Sequence, residues 1–117
     1  MPVSKPSKLA EFWQFQEAMR LKAMPPALTP KQAGQLRFLY RLVGPFAKRV
    51  VGYGFSSWPK FATQAKLAAG LSTVPNYPHI GFLIKHIDVA VSMMIEDKKI
   101  SSEELGHAMK VLHGDDY

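Results

Sequence analysis

The sequence predicts an all-α protein, a compact bundle of five or six short helices packed around one apolar helix at about residues 79–95. Three observations lead there. Apolar residues recur at helical spacing along most of the chain, and Pro and Gly fall where helices start and stop. No segment alternates polar and apolar residues for long enough to make a useful strand, although "KRVVGYGF" comes nearest. With 117 residues, 47% of them hydrophobic, the chain has the size of one domain and a composition that can fold.

The first helix is predicted from a cap at Ser7 to about Met24, with Leu9, Phe12, Trp13 and Met19 as its apolar stripe. Pro25 and Pro26 end it, because neither can donate the next helical hydrogen bond. The second opens on "LTPKQ": Thr29 caps, Pro30 suits the first helical position, and Gln32 reaches back as in a capping box. Ala33, Leu36, Leu39, Tyr40 and Val43 form its buried face, and Gly44 with Pro45 stops it. From Phe46 to Ala69 the pattern is helical but weakened by Gly52, Gly54 and Pro59, so two pieces meet near Ser56 to Pro59. Gly70 closes the second piece with a left-handed turn.

The loop "STVPNYPH" then introduces the central helix, with Pro78 at its first position. Ile80, Leu83, Ile84, Ile87, Val91, Met94 and Ile95 share one face of it. Ser101 and Glu104 form a second capping box, Ile100 is placed to staple to Leu105, and Leu105, Ala108, Met109 and Leu112 make the last buried stripe before Gly114.

Several chemistries fail on residue type or spacing. Cysteine is absent, which removes disulfides, thiolate nucleophiles and cysteine zinc sites. A calcium loop ending on Glu104 would need oxygen ligands at Met93 and Ile95 and a glycine at Lys98. No two of His79, His86, His107 and His113 stand four apart on a helix, the spacing that brings two imidazoles to one metal. "VGYGF" is a lone G-x-G, and no serine sits in a nucleophile elbow. The sequence therefore predicts no catalytic residue, no cofactor and no metal. The opening "MPVSKPSKLAEF" has no apolar signal core and no run approaches the ~20 residues of a membrane span, so a soluble, cytoplasmic protein is expected.

Charge carries the functional signal. The net charge is +6, but residues 1–60 hold ten Lys/Arg against two acids, whereas residues 61–117 hold five against seven. Between Glu17 and Asp88 there is no acid at all. A basic half this one-sided repels itself unless a polyanion or an acidic partner offsets it. On the second helix Lys31, Arg37 and Arg41 flank the side away from the core with Phe38 among them, a pattern suited to a base or apolar patch resting between phosphates. Lys48, Arg49 and Lys60 extend the basic series; Trp58 and Phe61, on either side of Lys60, are core residues. Tyr77, His79 and Lys85 form a secondary set at the start of the central helix.

Residues 58–86, "WPKFATQAKLAAGLSTVPNYPHIGFLIKH", carry W-x-x-F, then P-x-x-P, then G-F-L-x-x-H. That order resembles small helical domains of phage and plasmid replication proteins. The resemblance covers about a quarter of the chain, implies a DNA-replication accessory or helicase-loading role, and transfers no binding residue. The expected function is thus a non-enzymatic nucleic-acid-binding accessory protein within a larger replication or nucleoprotein complex, with nucleic acid and a protein partner but no membrane. The alternative is a small adaptor or inhibitor whose basic face docks on an acidic protein, its acidic half meeting a second partner or another copy.

Overall fold

Among residues 6–113, which the computed structural model describes, every regular element is helical. The helices are α1 (Pro6–Leu21), α2 (Pro30–Val43), α3 (Ala47–Ser56), α4 (Trp58–Ala69), α5 (Ile80–Lys85), α6 (Ile87–Glu96) and α7 (Ser102–His113), with a 3₁₀ turn at Gly44–Phe46 joining α2 to α3. The near-strand "KRVVGYGF" lies in α3 and buries Val50, Val51, Tyr53 and Gly54. No described helix is long and apolar enough to cross a membrane. The predicted stop at Gly114 and the side chains of Ser7, His107 and His113 lie outside the described residues.

Both capping boxes form. The Gln32 amide donates to Thr29 Oγ1 at 3.1 Å while the Thr29 amide donates to Gln32 Oε1 at 2.9 Å. At α7 the Ser101 amide donates to Glu104 Oε1 at 2.9 Å and the Glu104 amide to Ser101 Oγ at 3.3 Å. Each box satisfies two of the helix's orphan amides, worth about 1 kcal/mol per cap. The α3–α4 break falls at Ser57, ahead of Pro59 in the first turn of α4.

The core is one cluster. Phe46, Phe61, Leu9, Leu36, Leu39, Leu83 and Met94 are its largest fully buried side chains, each contributing roughly 1.5–3 kcal/mol through burial. Phe82 meets Trp58 and Phe61 edge-on with ring centroids 5.8 Å apart, Trp58 and Phe61 pack tilted at 5.2 Å, and Trp58 Nε1 donates to the Pro75 carbonyl at 2.9 Å. That bond pins the long α4–α5 loop, and α6 lies at the centre against α3, α4, α5 and α7.

Four sequence expectations need correction. The central helix is two helices: His86, at φ −116° and ψ 35°, bends the chain while its amide still donates to the Phe82 carbonyl at 3.1 Å. After the bend the buried side turns to Ala90, Val91, Met93 and Met94; Ile84 before it, and Ile87 and Ile95 after it, are only half-buried. Helix α5 begins at Ile80, so Pro78 is not its first residue; His79 caps it, its Nδ1 accepting the Phe82 amide at 3.1 Å. Helix α1 starts at Pro6, so Ser7 does not precede it, and ends at Leu21, with Met19 exposed. In α7 the buried stripe is Ala108 flanked by Val111 and Leu112, and Leu105 faces outward.

Candidate nucleic-acid interface

Helix α2 sets the site by burying one side only. Leu36, Leu39 and Val43 enter the core. At ~100° per residue, Lys31, Gly34, Arg37, Phe38 and Arg41 fall within about 120° of arc on the opposite side and span ~15 Å along the axis. Lys31, Arg37 and Arg41 are exposed, and so is Phe38, at 46%. The Arg41 guanidinium stands over the Phe38 ring, 5.9 Å from its centroid, and holds a flat cation beside a flat apolar surface. Lys31 occupies the first turn, where the helix dipole favours an anion over a cation. Among the described residues no carboxylate pairs with Lys31, Arg37 or Arg41.

Helix α5 crosses beside this face and opens a groove of about 360 Å³ lined by Lys31, Gly34, Gln35, Phe38, Gly81, Ile84 and Lys85. Lys85, predicted as part of a separate secondary set, therefore joins the α2 residues. Its two companions do not. His79 is engaged in capping α5. Tyr77, 55% exposed, has the Arg20 guanidinium 5.1 Å above its ring, and Arg20 is itself gripped by Glu17 at 2.7 and 3.2 Å.

The remaining basic residues divide by partner. Lys48 lies over the Phe12 ring at 5.0 Å and lines a 510 Å³ cavity with Arg49, Tyr53, Met94 and Lys99. Arg49 Nε donates to both oxygens of Glu104, at 3.1 and 3.2 Å. Lys60 Nζ lies 3.3 Å from both oxygens of Asp97, to which the Tyr53 hydroxyl also donates at 2.8 Å. The Tyr53 hydroxyl, then Lys60, hold the Asp97 carboxyl below its ordinary value, against a small opposing effect of burial. Burial, with Asp97 as acceptor, pushes the Tyr53 phenol well above its own. At Glu104 burial disfavours the charge, but the Ser101 amide and Arg49 outweigh it and keep the carboxyl low.

Arg49 and Lys60 thus spend part of their charge on acids that sequence spacing places far away, whereas Lys31, Arg37, Arg41, Lys48 and Lys85 have no such partner among the described residues. Sequence reasoning set Gly34 on the outward side of α2 beside Lys31 and Phe38, but missed three contributors: Gln35 and Gly81, which meet at the groove, and Lys99, which lines the Lys48 cavity. These three carried no local signal, because their neighbours come from distant elements. Compared with protein families, curated proteins and solved structures, the chain finds no match in any of the three.

Proposed function

We propose that this protein is a non-enzymatic nucleic-acid-binding accessory protein whose outward α2 face holds backbone phosphates. One observation carries the reading: Lys31, Arg37 and Arg41 line one exposed helix side around an exposed phenylalanine, with no carboxylate among the described residues set against them. Phosphate contacts of this kind supply affinity and register but little sequence reading. Lys85, across the groove, extends the contact; Lys48, in the separate α3 cavity, adds a further cation, while Arg49 and Lys60 contribute less because each is engaged by an acid. A place in a replication or nucleoprotein complex of phage, plasmid or bacterial origin follows from the resemblance of residues 58–86 and from nothing else.

Fluorescence anisotropy across a salt series tests the reading. Five phosphate contacts predict a log–log slope of about −3.5 to −4.5, at roughly 0.7 to 0.9 per contact. Arg37→Glu with Arg41→Glu is expected to weaken binding by about 100-fold or more, with helical circular dichroism unchanged because both side chains are exposed. Retained affinity in that variant sinks the proposal. The rival, docking on an acidic protein, gains from Phe38 and Leu42 being exposed on one helix, since aromatic residues and Arg are enriched at protein interfaces. It predicts no polymer binding at low salt. Its head-to-tail form loses two acids, Asp97 and Glu104, to bonds within the chain.

A further inference from the structure

We propose that the α2–α5 groove takes one unstacked base of a single-stranded nucleic acid, stacked on Phe38, with Lys31 and Lys85 on the neighbouring phosphates. The proposal rests on the nucleic-acid reading above and adds which polymer is bound and where its base sits. The groove has the residues such a contact needs. Phe38 offers an exposed aromatic surface, Ile84 is a half-buried apolar wall, and the two rims carry a lysine each, Lys31 from α2 and Lys85 from α5. No acid lines it. Its volume of about 360 Å³ falls in the range of small-molecule pockets, roughly 300–1,000 Å³.

Two glycines give the groove its shape. A Cβ on Gly34 would meet only the tip of the Arg37 side chain, at 3.7 Å, so the α2 side is open. A Cβ on Gly81 would come within 2.9 Å of Gln35 Nε2, so the helices approach closely and bring that amide to the groove. An amide there has both a donor and an acceptor for a base edge. Duplex DNA hides its base faces in the stack, and an aromatic ring on a helix face then meets only sugar and phosphate. An unstacked strand presents a base face at every nucleotide, and aromatic stacking is the usual sequence-tolerant way of holding it.

The test compares three labelled oligomers by anisotropy: oligothymidylate, an abasic strand of the same length and charge, and a duplex of that length. The wild-type chain is expected to prefer oligothymidylate to the abasic strand by about 5- to 150-fold, the worth of one stacked base. Phe38→Ala should erase that preference and leave abasic binding within about twofold. Gly34→Leu should erase it too, by filling the groove from a position with space for a side chain. Equal wild-type binding to both single strands, or an equal loss for all three oligomers in Phe38→Ala, overturns the inference. Tighter binding to duplex overturns it while leaving the nucleic-acid reading intact. Binding to none of the three overturns both.

Discussion

At Lys98 the backbone adopts φ 56°, a left-handed conformation that costs a side chain about 1 kcal/mol or more. The Lys99 amide donates to the Met94 carbonyl at 2.8 Å across this residue, closing α6. The same closure recurs at Lys22, where the Ala23 amide donates to the Ala18 carbonyl, and at Gly70, where the Leu71 amide donates to Lys66. Only the last uses glycine. Lys98→Gly is therefore expected to stabilise the fold by about 1 kcal/mol, seen as a higher urea midpoint at unchanged slope. No change would mean that the Lys98 side chain offsets its own strain.

Asp97 makes a second prediction at this scale. Its carboxyl is depressed in the folded chain, so the unfolded chain binds protons more readily and stability falls with falling pH. The contribution is complete above an unfolded value near 4 and is lost as pH drops below it. Tyr53 runs the other way: its raised phenol contributes fully below about pH 10 and less above. A urea midpoint measured from pH 2 to pH 8 should decline below about pH 4, and less steeply in Asp97→Asn. An equally steep decline in the variant would assign the acid limb to other carboxylates, Glu104 first.

Among the elements, α2 is both scaffold and surface. Its capping box and buried Leu36, Leu39 and Val43 fix its rotation, and that rotation leaves Arg37, Phe38 and Arg41 outside. The double charge reversal proposed above belongs to this scale, because it alters one face of one helix and leaves the core contacts intact. Helix α5 is only six residues long, too short to stand alone in water. It persists because Ile80 and Leu83 are buried, His79 caps it, and Phe82 packs against Trp58, Phe61 and His86. The groove therefore depends on the aromatic cluster behind it as much as on the residues lining it.

Across the whole molecule the tertiary fold partly folds the charge asymmetry back on itself. Glu104 and Asp97, both from the acidic half, reach Arg49 and Lys60 in the basic half. Asp97→Asn with Glu104→Gln would release both cations and raise the net charge from +6 to +8. If Arg49 and Lys60 face the bound polymer, the salt slope steepens by about 1 to 2 and affinity rises. An unchanged slope would place both cations off the binding surface, leaving the contact to α2, Lys48 and Lys85.

Local pattern along the chain set the all-helical class, the Thr29 and Ser101 caps, the breaks near Ser57 and Gly70, and the outward side of α2. Each of these follows from residues within a turn or two of one another, where propensity, capping and 3.6-residue spacing act directly. The rotation of α6 after His86, the pairing of Arg49 with Glu104 and Lys60 with Asp97, and the meeting of Lys85 with Phe38 were decided by tertiary structure. Those contacts join residues 37 to 55 positions apart in the chain. Only packing decides which distant side chains become neighbours, and periodicity along one helix is silent on which helix crosses it.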